Sequence, residues 1–148
     1  MSSVIFSSSD FEEKPAPSGR GSVWLSRGHV TTPLGPFSIE CLDVPDDRLV
    51  AAVNEAVGLL DREHQMMLGV AYGLYQRAAE DRRWMKACGV PRDLSRGELA
   101  DCISDRCVSA YRGADGHAKA SISVRVPWDD EHRIVFRMSN GRLVLESP

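Results

Sequence analysis

The segment Trp128-Asp129-Asp130-Glu131-His132 brings together residue types that could do chemistry, with three carboxylates between an indole and an imidazole. Neighbouring residues in an extended segment point to alternate faces, so at most two of the four polar side chains can converge unaided. Three interpretations stay open. They are a solvated turn whose tryptophan folds back onto the core, an acidic surface that steers a basic protein partner, and a metal or catalytic site.

The cysteines and histidines do not form a recognisable set of metal ligands. Cys102 and Cys107 are separated by four residues and lack the second pair that a structural zinc site needs. His64 follows Glu63 but has no second histidine one helical turn away, so it does not match a metalloprotease helix. A nucleophilic Cys107 paired with a distant histidine stays open, but buried inert thiols are far commoner. The sequence therefore predicts no metal and no other cofactor.

A basic segment, Arg82-Arg83-Trp84-Met85-Lys86, places three positive charges around an indole, a combination used in contacts to RNA or phosphate. The helical pattern continues through this segment, so we expect the cations near a helix C-terminus, where each stabilises the helix dipole by about 0.3–1 kcal/mol. The formal net charge of −3 and the isoelectric point of about 5.8 oppose a dedicated nucleic-acid surface. We therefore predict no nucleic-acid partner.

Length and composition are those of one ordinary domain. The 148 residues are 43% apolar and 26% charged, enough to bury a core without disulfides or metal. No apolar run reaches the roughly 18 residues of a membrane span, and the start of the chain lacks the features of a signal peptide. We therefore expect a cytoplasmic protein with reduced cysteines and no membrane partner.

The elements that must position these residues begin after the first 20 residues, which are predicted to be a flexible tail. Their serines, prolines and charges cannot bury enough apolar surface to offset the ordering entropy. Val4-Ile5-Phe6 could pair there as a short edge strand. Residues 21–148 are predicted to form a single α+β domain, which begins with a small antiparallel meander. In it Phe37, Ile39 and Cys41 alternate with polar residues, as in a half-buried strand.

The middle of the domain is predicted to be helical. Asp46 can cap a helix, and apolar residues recur at helical spacing from Leu49 to about Ala79. Gly58 costs about 1 kcal/mol in a helix without ending it. We favour a break between Gly58 and Asp61, which gives a central helical hairpin.

The remaining elements complete an α+β fold. The helical pattern runs on to Gly89, which provides a stop, and Ser95-Arg96-Gly97-Glu98 is a capping box that starts one more short helix. A second meander follows, and its Asn140-Gly141 pair is the strongest hairpin signal in the chain. The sequence therefore predicts an antiparallel sheet built from two meanders, with the helical hairpin and the short helix packed on one face.

Trp128-Asp129-Asp130-Glu131-His132 is followed by a strand, a turn glycine and a last short strand, Gly141-Arg142-Leu143-Val144. This order resembles a family of small uncharacterised bacterial domains that end in a Trp-Asp-Glu-Glu-His-Gly-like motif and a short hairpin. The resemblance extends loosely to Thr32-Pro33-Leu34-Gly35-Pro36-Phe37 and the helical middle, over residues 21–146. Arg133 stands where the family pattern tends to have glycine. Members are similar to proteins encoded beside polymorphic toxins, so the resemblance implies an immunity protein and brings no catalytic residues.

These patterns favour binding over turnover. The first hypothesis is a cytoplasmic immunity protein that neutralises a cognate toxin by covering it, with Trp128 as anchor and Asp129, Asp130, Glu131 and His132 facing a basic surface. The second is a small hydrolytic or metal-dependent enzyme that uses this segment with a remote residue. The third is a homodimeric structural or regulatory module, in which Val4-Ile5-Phe6 or the C-terminal strand pairs between chains.

Overall fold

The computed structural model describes residues 5–146, in which eight strands and three α-helices form one α+β unit, as the sequence predicts. The strands are β1 (Phe11–Pro15), β2 (Ser22–Ser26), β3 (Val30–Thr32), β4 (Gly35–Cys41), β5 (Ser104–Arg112), β6 (Ala118–Val126), β7 (Asp129–Ser139) and β8 (Arg142–Leu145). The helices are α1 (Asp47–Ala78), α2 (Arg82–Cys88) and α3 (Arg96–Cys102).

The sheet has the strand order β1-β2-β4-β5-β6-β7-β8, and β3 pairs with β4 beside this path. Two antiparallel meanders are present, as predicted, but a parallel pair joins them: Ile39 of β4 lies opposite Val108 of β5. A parallel pair needs a long crossover, and the chain supplies it with all three helices between the two strands. The prediction of an antiparallel sheet therefore holds for every pair except this one.

The predicted helical hairpin is replaced by one continuous helix. The 32 residues of α1 pass through Gly58–Asp61 without a break and span about 48 Å at 1.5 Å per residue. Gly58 is exposed, whereas its neighbours Val57 and Leu59 are buried in the core. Burying such a side chain contributes about 1.5–3 kcal/mol, which exceeds the cost of about 1 kcal/mol for the glycine.

The helix ends follow local signals, with one exception. The Asp46 carboxylate accepts a hydrogen bond from the Leu49 amide at 2.9 Å, and Gly89 ends α2 with φ +70°, both as predicted. The capping box Ser95–Glu98 also forms at the start of α3. The exception is the predicted continuation of the long helix to residue 88. The chain leaves the helix after Ala78, and Asp81 caps α2 as a separate helix.

The N-terminal segment differs from the predicted flexible tail over residues 5–20. Phe6 and Phe11 are both buried, and β1 pairs in register with β2. The Asn54 side chain of α1 holds Phe6 with two hydrogen bonds, one from the Phe6 amide at 2.7 Å and one to its carbonyl at 3.0 Å. Two phenylalanines thus order a segment of polar composition. Ile5 and Phe6 are not in a strand, and Val4 lies outside the described residues.

Both edges of the sheet carry features that oppose strand pairing between chains. Edge strand β1 holds two glutamates, a lysine and a proline. At the other edge, the Leu143 amide of β8 points away from β7 and donates to the carboxylate of Glu63 on α1 at 2.9 Å. Charges, proline and a covered amide are the usual ways to protect an edge. The sheet edges therefore give little support to the predicted homodimer formed by strand pairing.

Candidate functional site

The predicted acidic segment is a bulge at the start of β7. A tight turn at residues 127–128 joins β6 to β7, so that Val126 pairs with Asp129. The next regular pair joins Val124 to Ile134, which leaves residues 130–133 of β7 opposite the single residue 125 of β6. We call Asp129–His132 the acidic bulge. Bulges of this kind re-aim side chains and are common at binding sites.

Asp129 organises the backbone of the acidic bulge. Its Oδ1 accepts hydrogen bonds from the amides of Glu131 and His132 at 3.1 and 3.0 Å, and the His132 Nδ1 lies 3.3 Å away. Desolvation acts to raise the pKa of Asp129, but hydrogen bonds from the amides of His132 and Glu131 outweigh it and hold the pKa below its ordinary value. The charged Asp129 carboxylate therefore stabilises the backbone of the acidic bulge through hydrogen bonds within it.

Two arginines, one on β6 and one on β7, tie the acidic bulge to its neighbouring strands. The Arg125 guanidinium donates to the Asp130 carbonyl at 2.6 Å and to the Asp105 carboxylate at 3.0 Å. Arg133 donates to Ser123 Oγ at 3.0 Å and to the carbonyl of Asp105. Arg133 does not have a positive φ, the backbone conformation that favours glycine. Glycine is not needed there, and the guanidinium takes a structural role.

Trp128 lies in the core, which differs from the predicted surface anchor. Its side chain is only 8% exposed, and its ring packs against Tyr75 of α1 with centroids 5.6 Å apart. The Trp84 indole of α2 donates to the Trp128 carbonyl at 2.7 Å. Little of the indole is therefore open to a partner. The structure instead matches the alternative in which the tryptophan folds back onto the core.

An apolar cleft of about 650 Å³ opens next to the acidic bulge. The residues that line it include Leu74 of α1, Trp128, Ile134 of β7 and Leu145 of β8, together with Glu131 of the acidic bulge. The Leu145 side chain is on the helix side of the sheet yet remains 37% exposed. No sequence pattern predicts this cleft, because its lining residues come from separate elements. No local pattern joins residues 74 and 145.

The acidic bulge presents unpaired charge to solvent. Asp130, Glu131 and His132 are all exposed, whereas Asp129 is half-buried. No salt bridge to Asp130 or Glu131 forms within residues 5–146. The acidic bulge therefore has two free carboxylates, and one of them, that of Glu131, lines the apolar cleft. Of the five residues singled out from the sequence, Trp128 and Asp129 have structural roles and the other three face outward.

The basic segment lies next to this site on α2. Arg82 and Arg83 occupy the first turn of the helix, and only Lys86 is in the last turn. The predicted stabilisation of a helix C-terminus therefore does not apply to the two arginines, since the dipole disfavours cations at the N-terminal end. Trp84, which follows them, is 48% exposed even though its indole N–H is hydrogen-bonded. α2 thus presents an aromatic surface flanked by positive charge.

Cys107, the candidate nucleophile from the sequence, is partly buried. Burial raises the pKa of Cys107 to about 11, so its thiol is protonated at neutral pH and is a poor nucleophile. Among residues 5–146, no group of three His, Cys, Asp or Glu residues is arranged to hold a metal ion. No helix in this part of the chain has the length and hydropathy that crossing a membrane requires.

Fold and site together define a small α+β domain with a long helix across a mixed sheet and an acid-rimmed apolar cleft at one end. Comparisons with known protein families, curated proteins and solved structures gave no match. Function is therefore argued from the site alone.

Proposed function

We propose that this chain is a protein-binding module and, in its particular form, an immunity protein that neutralises a cognate toxin by occluding it. The observation that carries the proposal is the apolar cleft that Glu131 lines, together with a second free carboxylate on the adjacent residue, Asp130. An apolar recess with a charged rim fits an apolar side chain of a partner, flanked by positive charges.

The rigidity of the site supports binding. Asp129, Arg125 and Arg133 hold the acidic bulge through hydrogen bonds to backbone and side chains, so its exposed groups are placed before a partner arrives. Binding to a preorganised site loses less conformational entropy than binding to a loop that must become ordered. Trp128 is largely buried and lines the cleft, so the side chain that fills the cleft comes from the partner.

Charge is the feature to test first. We expect the double variant Asp130→Ser/Glu131→Ser to associate with the partner about tenfold more slowly at low salt, and with a weaker salt dependence, because rim charges act on encounter. The matched control is Glu12→Ser/Glu13→Ser, which removes two exposed charges from the opposite edge of the sheet. Equal association rates for the two double variants would show that the acidic bulge is not part of the interface.

The immunity role has its own test. The tagged chain is used to pull down the product of the neighbouring gene, and growth is measured in cells that express that product with and without this chain. A tight complex with rescued growth is expected, and rescue should weaken in the Asp130→Ser/Glu131→Ser variant. Absence of both complex and rescue would reject the immunity role.

A further inference from the structure

We infer that the acidic bulge and its cleft also bind a second copy of this chain, through the exposed surface of α2. The inference rests on the proposed function, because it uses the same site. That site fits an apolar side chain flanked by positive charges, and α2 presents such a group: Trp84 is 48% exposed, and Arg82, Arg83 and Lys86 around it are exposed. The protein therefore carries both the site and a segment with the chemistry of its ligand.

The two surfaces are neighbours, which suits a two-fold dimer. The hydrogen bond of 2.7 Å from the Trp84 indole to the Trp128 carbonyl joins α2 to the residue that precedes the acidic bulge. Positive and negative groups thus lie side by side on one patch. A two-fold axis between them places α2 of each protomer over the acidic bulge of the other, so that every contact occurs twice.

The positions of the arginines support this arrangement. Arg82 and Arg83 lie in the first turn of α2, where the helix dipole opposes positive charge, so helix stability does not explain them. Neither forms a salt bridge within residues 5–146. Opposite charges on a second protomer would give them partners. Because the sheet edges are protected, this patch is also the better route to self-association.

The dimer should be weak and sensitive to salt. Exposed ion pairs contribute little individually, and two symmetric copies of a small charged contact give modest affinity. The first measurement is sedimentation velocity of the full chain over a wide range of concentrations, at low and high salt. We expect a concentration-dependent dimer that dissociates as salt is added.

Charge reversal gives the sharper test. One variant, Arg82→Glu/Arg83→Glu, makes both surfaces negative, and a second, Asp130→Lys/Glu131→Lys, makes both positive. Each alone should self-associate about tenfold more weakly than the wild type or worse, because like charges face each other. An equimolar mixture should form a heterodimer, since both contacts of the two-fold pair again join opposite charges. The control Arg27→Glu/Arg48→Glu changes two exposed arginines elsewhere and should dimerise like the wild type.

The outcomes separate this inference from the proposed function. A wild type that stays monomeric at all concentrations and salts, or reversed variants that dimerise as well as the wild type, or a mixture that stays monomeric, would overturn the dimer. None of these measurements uses the toxin. Glutamates in the first turn of α2 favour the helix dipole, so the Arg82→Glu/Arg83→Glu variant should fold, which circular dichroism checks. This variant keeps the acidic bulge and should still bind the partner.

Discussion

Glu63 of α1 contacts the edge strand β8, and we expect this contact to contribute strongly to stability. This residue of α1 is only 9% exposed, and its carboxylate accepts hydrogen bonds from Arg142 Nε at 2.7 Å and from the Leu143 amide at 2.9 Å. It therefore ties the middle of the long helix to the last strand and covers an edge amide. We predict that Glu63→Ala destabilises the fold and uncovers that edge.

The expected cost follows from the two bonds. Leaving the buried Leu143 amide without an acceptor costs about 1–3 kcal/mol. The ion pair with Arg142 adds about 0.2–1 kcal/mol, because the Arg142 side chain is 71% exposed. Glu63→Ala should therefore lower the free energy of unfolding by about 2–3 kcal/mol. Glu63→Gln, which keeps an oxygen for the amide, should lower it by about 1 kcal/mol.

Urea unfolding at neutral pH measures these differences, with Glu55→Ala on an exposed turn of the same helix as the control. The pH dependence is a second check. The hydrogen bond from Arg142, chiefly, holds the pKa of Glu63 below its ordinary value of 4.5. Its stabilisation is therefore complete above that value and is lost as the pH falls through the lower pKa of the folded state. Equal losses of unfolding free energy for Glu63→Ala and Glu55→Ala would refute the reasoning. So would a stability difference between the wild type and Glu63→Gln that persists in acid.

Three further predictions concern the bulge, a turn and the thiols. Asp129→Ala should lower the free energy of unfolding by about 1–2 kcal/mol and speed hydrogen exchange at the two bulge amides that donate to this carboxylate; unchanged exchange would show that the carboxylate does not stabilise the bulge. Gly35→Ala should cost about 2 kcal/mol in a thermal melt, because φ is +106° and the new methyl would lie 2.8 Å from Arg106 Cζ; a loss below about 0.5 kcal/mol would contradict this. Burial raises the pKa of Cys41 to about 12 and that of Cys107 to about 11, so both should resist iodoacetamide in the folded protein near pH 8 and react in denaturant, as mass spectrometry would show.

Short-range signals in the sequence predict the boundaries that depend on a few neighbouring residues. The cap at Asp46, the capping box at Ser95–Glu98, the left-handed Gly89 and the turn at Asn140-Gly141 all form where the sequence places them. Each is satisfied within about one turn of chain, so local chemistry alone decides it. The exposure of Asp130 and Glu131 follows in the same way from their charge.

Tertiary packing decided the features that local signals could not. Burial of Val57 and Leu59 in the core keeps α1 continuous at Gly58, and burial of Phe6 in the same core orders a segment of polar composition. Trp128 looks like a surface anchor in sequence, but it fills the space beside Tyr75. Sequence alone therefore determined the α+β class, the helix caps and the acidic segment. Only the tertiary structure reveals the parallel β4–β5 pair that joins the meanders, the cleft, and the position of α2 next to it. The reason is that burial of apolar side chains distant in sequence outweighs local preference.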